Sequence, residues 1–106
     1  PAGGGRVGSD LTLEEGYQAA RLTGLNLLSQ LKNEVDDLDK VRIVKVLAFV
    51  ASAPDFLQQP AVMNGVSDLF AEVFGEKGLH ARSAVAVTQL PFNIPIEVEM
   101  IAEIEE

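Results

Sequence analysis

The stretch ARSAVAVTQLPFNIPIEVEMIAEI, Ala81 to Ile104, decides the fold. Its opening third alternates Arg82, Ala84, Ala86 and Thr88 against Ser83, Val85 and Val87, and a period of two is the signature of an extended strand. Its last third alternates Ile96, Val98, Met100, Ala102 and Ile104 against Glu97, Glu99, Ile101 and Glu103, so one face is apolar and the other mostly carboxylate. Two strands follow, Arg82 to Gln89 and Ile96 to Glu105. A connection of about seven residues is too short for a parallel crossover, which needs roughly a dozen, so the two strands are expected to be antiparallel neighbours. A hairpin centred near Pro91 and Phe92 would set Arg82 opposite Ile101 and Glu97 opposite Ala86. Four residues of offset is about 13 Å at ~3.3 Å per residue, so Arg82 and Glu97 of one chain would hardly touch.

Upstream, VRIVKVLAFVAS, Val41 to Ser52, is β-branched and apolar on both alternating faces after Ile43, which suits a central strand covered on both sides. Ala53, Pro54 and Asp55 break it. Pro60 then sits where the first turn of a helix tolerates a missing amide, and Gly75 supplies a left-handed residue to stop that helix after Phe74. Its expected buried stripe is Val62, Val66, Leu69 and Val73, while Asn64, Gly65 and Ser67 are poor helix formers that packing must hold. Earlier still, Thr12 and Glu15 form a capping box that starts a first helix. Leu13, Tyr17, Ala20, Gly24, Leu27, Leu28 and Leu31 make its packed face, Glu14, Gln18, Arg21 and Lys32 face water, and the acidic turn Glu34 to Asp39 closes it.

The predicted order is helix, strand, helix, strand, strand: an α/β (α+β) domain of 106 residues with a thin mixed sheet. Such a sheet has exposed edges, and missing strands upstream or pairing with another copy of the chain would cover them. Residues 1 to 10 hold four of the nine glycines, a composition expected to give a flexible lead-in or a loop severed from something upstream.

Eight basic against sixteen acidic residues give a net charge of -8, which disfavours a nucleic-acid partner. The least polar stretch, Val46 to Ala53, is far below the ~20 residues that span a bilayer, and the N-terminus lacks the apolar core of a signal peptide. With no cysteine and one histidine, His80, thiolate zinc sites, multi-His metal sites and cysteine nucleophiles are excluded. These features together suit a cytoplasmic protein without a thiolate or multi-His metal site and without a membrane partner. A phosphate loop is absent, the early GGG lacks the strand-to-helix context of a dinucleotide loop, and no nucleophile elbow surrounds Ser83.

What remains is Arg82, Glu97 and Glu99. The small neighbours Ser83, Ala84 and Ala86 leave space around the Arg82 fork, which can bind a carboxylate through two hydrogen bonds. A glutamate on the next strand could orient or deprotonate a water. The competing reading makes Arg82 a surface ion-pair partner of Glu99 or Glu103, and His80 a plain loop residue. Glu103, Glu105 and Glu106 read as a solvated edge. Because the expected register separates Arg82 from Glu97, a cooperating pair points to a cleft between subunits.

HARSAVAVTQLPFNIPIEVEMIAEI, His80 to Ile104, resembles the C-terminal signature of the YjgF/RidA family. Ser52 to Glu76 is similar to that family's second helix, with its V-x-N element at Val62 to Asn64, and LTLEEGYQAARLTGLNLL resembles the first helix of a YjgF-like subgroup. The resemblance spans about residues 6 to 105. It implies a chorismate-mutase-like fold with two helices on one sheet face, a homotrimer with clefts between subunits, and no cofactor. It also implies hydrolysis of reactive enamines and imines, such as 2-aminoacrylate, to keto acids and ammonia. On that resemblance Arg82, with Ser83 and Ala84, binds the substrate carboxylate, and Glu97 is the catalytic residue linked to the water. The chain departs from the family pattern where the usual N-terminal hairpin would precede the first helix, and at Ala84, where deaminase members often carry cysteine. A non-catalytic trimeric module binding small carboxylates is the alternative, and an endoribonuclease the weaker one.

Overall fold

The computed structural model describes residues 4–105; residues 1–3 of the expected lead-in, and Glu106 with its expected place on a solvated edge, lie outside them. The elements are helix α1 (Leu13–Glu34), strand β1 (Val41–Ala51), helix α2 (Gln59–Phe74), strand β2 (Ala81–Val87) and strand β3 (Ile96–Ile104), with short 3-10 turns between them. Both reciprocal bonds of the capping box form: Glu15 N–H donates to Thr12 Oγ1 at 3.1 Å, and Thr12 N–H to Glu15 Oε1 at 2.9 Å. Pro60 lies in the first turn of α2, and Gly75 ends that helix with φ 61°.

The sheet order is β2-β1-β3, with β1 parallel to β2 and antiparallel to β3. The expectation that the last two strands are hydrogen-bonded neighbours is therefore corrected, and the hairpin register with it: β1 lies between them. Its β-branched, apolar sequence suits the position hydrogen-bonded along both edges. Ser52 N–H donates to the Val87 carbonyl (3.1 Å) and Ala51 N–H to the Pro95 carbonyl (2.9 Å), so the connection passes over the end of β1. It needs to cross only two strand spacings, about 10 Å. Phe92 and Asn93 turn it with φ 59° and 56°; Asn takes this conformation readily, whereas Phe does so rarely. The length rule excluded a parallel pair correctly but says nothing about a strand lying between.

Both helices pack on one face of this mixed sheet, α1 over β3 and α2 over β1 and β2. The core joins Val46, Ala48 and Val50 of β1 with Val62, Met63, Val66, Leu69 and Phe70 of α2, Ala20 and Leu28 of α1, and Ile96 and Val98 of β3. A bulge at Val44, where the β1–β3 register shifts between Ile43 and Lys45, explains why Val41 and Ile43 share the buried face with the even-numbered residues that follow. On the other face Leu47 and Phe49 are only half-buried and Lys45 is exposed, so within one chain β1 is covered by described residues on one side only, where the sequence pattern suited both. Val73 keeps its place on the α2 stripe but is 43 % exposed, because it opens into a hollow beside Leu38 and Phe74 at the helix end.

The helices run side by side in one direction, with Tyr17 Oη donating to Asp68 Oδ2 (2.7 Å) and Arg21 pairing with Glu72 (2.5 Å). They approach closely through Gly16, Ala20 and Gly24 of α1 and Gly65 of α2. A Cβ on Gly65 would overlap the Tyr17 carbonyl oxygen and lie 2.9 Å from the Ala20 Cβ, so this weak helix former stands at the helix–helix contact. Residues 4 to 11 correct the reading of that segment as a lead-in too poor in apolar surface to pack. Val7 is fully buried and bridges to Ser52, Val7 N–H donates to the Ala51 carbonyl, and Ala53 N–H to the Val7 carbonyl, both at 2.9 Å.

Candidate functional site

Arg82 pairs with Val46 in the β1–β2 ladder and so shares the helix-covered face, at the open edge of the sheet. There its guanidinium meets α2. Nη1 donates to Asn64 Oδ1 at 2.7 Å and to Ser67 Oγ at 3.0 Å. Asn64 and Ser67 are three apart in sequence and therefore present neighbouring side chains along one helix surface. Ser67 Oγ lies 3.0 Å from His80 Nε2, and His80 Nδ1 lies 2.6 Å from the Gly78 carbonyl oxygen. The imidazole packs edge-on against Phe70, with ring centroids 5.9 Å apart at 74°. Among the described residues Arg82 forms no ion pair with Glu99 or Glu103, and its Nε and Nη2 have no partner. The surface-ion-pair reading is thus replaced by a polar network, and His80 is a member of that network.

Glu97 stands elsewhere. It pairs with Phe49, on the face turned away from the helices, and β3 is the opposite edge of the sheet. Three residues along the strands and two strand spacings across put its Cα roughly 14 Å from that of Arg82. The two residues therefore occupy opposite faces and opposite edges. Glu97 also lines a groove of 730 Å³ between α1 and β3, with Leu22, Ile94, Ile96 and Val98 as apolar walls and Glu14 and Glu15 at one end. Ser83 pairs with Leu47 on the exposed face, and half-buried Ala84 pairs with Ala48 on the helix side, where its methyl leaves room beside Arg82. Glu99 pairs with Leu47 on the outer face. Glu105 is bound by Lys77 at 3.0 Å.

Sequence reasoning singled out Arg82 but not its holders. Asn64 and Ser67 register in the sequence as weak helix formers; two polar residues three apart between Val62 and Leu69 are the available signal.

The pattern of the family described as "YjgF/chorismate mutase-like, putative endoribonuclease" matches residues 3–104. The chain belongs to the YjgF/chorismate-mutase-like family. Protein TCP17 of Trypanosoma cruzi is 48 % identical over 102 residues, 94 % of this chain and 64 % of its own length, so the chain spans less than two thirds of that curated relative. The solved structure of Atu1372, a protein of unknown function from Agrobacterium tumefaciens, is similar over 99 % of this chain and 68 % of its own, with TM-score 0.95 and 44 % identity. A "putative endoribonuclease" from Shewanella oneidensis is similar over 97 % and 69 %, with TM-score 0.93 and 33 % identity. The two-helix, mixed-sheet architecture of this YjgF-family chain agrees with the fold its sequence resembles. Among the described residues no helix is long and apolar enough to cross a membrane.

Proposed function

We propose that this YjgF-family chain binds the carboxylate of a small metabolite through Arg82 and hydrolyses reactive enamine or imine intermediates of the 2-aminoacrylate type to a keto acid and ammonia. The observation that carries the reading is the Arg82 fork: Nη1 is held by Asn64 and Ser67, which leaves the Nε–Nη2 edge to grip a carboxylate through two parallel bonds. Ala84 stands two residues along on the same face with a small side chain, while Ser83 lies on the opposite face, where a neighbouring copy would have to bring it to the substrate. After the enamine has tautomerised to the imine, Glu97 acts as the base that takes a proton from water as the oxygen adds to the imine carbon and passes that proton to the nitrogen. The carbinolamine C–N bond then breaks as its hydroxyl proton moves to the departing amine, releasing ammonia and the keto acid.

Within one chain Arg82 and Glu97 sit on opposite edges and faces, which supports a site completed by a neighbouring copy. A surface that offers one half-site at each edge associates head to tail, and such contacts close into a ring when the rotation permits. We place the clefts in a homotrimer whose buried surface includes the outer sheet face, where Val85 and Ile101 are exposed. The same separation favours a second reading, a trimeric module that binds small carboxylates without turning them over. An endoribonuclease activity, the one the family's name suggests, is opposed by the net charge of -8.

The test generates 2-aminoacrylate in situ with a dehydratase and follows pyruvate release. Acceleration by the protein, abolished in Arg82→Ala and Glu97→Gln, supports hydrolysis. Equal rates with and without the protein, combined with pyruvate binding that Arg82→Ala removes, select the binding module. Light scattering reports the trimer, and a monomer would leave Arg82 without Glu97.

A further inference from the structure

The hydrogens in the Arg82 network can be counted. A guanidinium only donates and a backbone carbonyl only accepts. Ser67 Oγ therefore accepts from Arg82 Nη1, and the His80 Nδ1 proton is the one shared with the Gly78 carbonyl. The single Ser67 hydroxyl hydrogen remains, and it completes the path by donating to His80 Nε2, 3.0 Å away. In the neutral ring the one imidazole proton sits on Nδ1, and all three bonds are then satisfied together without bringing a second cation onto the Ser67 oxygen beside Arg82. The path then has one direction, from Arg82 through Ser67 and His80 to Gly78.

Its far end is fixed in the core. Phe70 is fully buried and holds the edge of the imidazole. Gly78 is buried as well, and a Cβ there would overlap the Phe70 carbonyl oxygen, so the carbonyl that orients His80 is seated where no larger residue fits. The near end is an exposed side chain on an open strand, which without such a tether would sample many rotamers.

We propose that His80 is a positioning residue for Arg82, acting through Ser67: it sets the direction of the Ser67 hydroxyl, which turns the oxygen lone pair toward Nη1 and presents the Nε–Nη2 edge to the ligand before the ligand arrives. This rests on the reading of Arg82 as a carboxylate ligand only for its effect on affinity; the ordering of Arg82 stands apart from it. The role belongs to an acceptor at the Nε2 position and not to the ring as a packing element.

The experiment compares His80→Phe, which keeps an aromatic ring against Phe70 and removes the acceptor, with His80→Gln, which loses the ring and keeps an acceptor. The first readout is the side-chain NMR spectrum of the ligand-free, 15N-arginine-labelled protein, with Arg82 assigned by its disappearance in Arg82→Lys. Separate Arg82 Nη1 and Nη2 signals, reporting slow rotation about Nε–Cζ, are expected in the unsubstituted protein and in His80→Gln. Collapse to an averaged signal is expected in His80→Phe. An unchanged Arg82 pattern in His80→Phe, collapse in both variants, or an averaged signal in the unsubstituted protein each overturns the proposal. Ser67→Ala and Ser67→Thr repeat the comparison should His80→Phe fail to fold, with collapse expected in Ser67→Ala alone and identical spectra overturning it. The second readout is pyruvate affinity by titration calorimetry. It is expected to weaken about fivefold in His80→Phe and by less than about twofold in His80→Gln, the scale of ordering one long side chain. No pyruvate binding by the unsubstituted protein would sink the carboxylate reading and leave the role of His80 to be decided by the Arg82 signals alone.

Discussion

The two edge strands of this sheet, β2 and β3, share an alternating pattern and come to opposite ends. β3 buries Ile96 and Val98 and half-buries Met100 and Ala102 on its helix side. β2 buries no residue completely; only Ala84 and Val87 are half-buried. Their residues differ in size on the helix-facing side. The large apolar side chains of β3 provide packing surface for the core, whereas β2 presents Arg82, Ala84 and Ala86 on that side, and Arg82 is held there by Asn64 and Ser67 of α2. Alternation makes a strand, and side-chain volume on the covered face decides whether its edge serves the core or a polar site.

The sharpest way to break this contrast is a pair of truncations read by urea denaturation. Ile96→Ala removes a side chain that is 3 % exposed and should cost about 2–4 kcal/mol. Val85→Ala, at a position 42 % exposed on β2, should cost less than about 0.5 kcal/mol in a monomer. A larger, concentration-dependent loss at Val85 would reveal that the outer sheet face is buried between chains. Equal losses independent of concentration would end the distinction between the two strands.

Gly65→Ala comes next. The new methyl has to push α2 away from the Tyr17 carbonyl, so the protein should lose about 1–3 kcal/mol despite the gain in helix propensity. The displacement carries Asn64 and Ser67 off Arg82 and weakens pyruvate binding with stability. Arg82→Ala separates those effects. Stability should stay within about 0.5 kcal/mol of the parent, because the side chain is exposed, while pyruvate affinity falls at least about tenfold through loss of charge-assisted bonds.

The smallest effect concerns the tie between the helices. The Tyr17 hydroxyl donates to Asp68, which holds the phenol above its ordinary value near 10, since ionisation would break that bond and set two anions together. A raised folded-state value means the contribution is complete below the unfolded value and is lost as pH climbs through the folded one. Tyr17→Phe should therefore flatten the fall in stability measured between about pH 9 and 12. A fall as steep as the parent's would assign it to other groups.

Much of the fold was legible because its signals are short-range. Thr12 and Glu15 marked the start of α1, Gly75 the end of α2, and alternation marked β2 and β3. The apolar run after Val41 marked the central strand. The neighbour relation of β2 and β3 was misread because the connection's length is compatible with either a hairpin or a bridge over β1. Val7 was misread because the glycines around it dilute the segment's composition, while the burial of one valine depends on where Ser52 passes.

Arg82 shows the division most plainly. The sequence by itself determined that an arginine stands on a strand of small residues with a glutamate fifteen positions on, together with the helices, strands and caps around it. These depend on backbone preferences and on side chains a few residues apart. Only the tertiary structure decided that Arg82 and Glu97 lie on opposite edges and faces, and that Asn64, Ser67 and His80 are the residues around the guanidinium. Those facts depend on which distant segments meet, and many arrangements of three alternating strands satisfy the same local pattern.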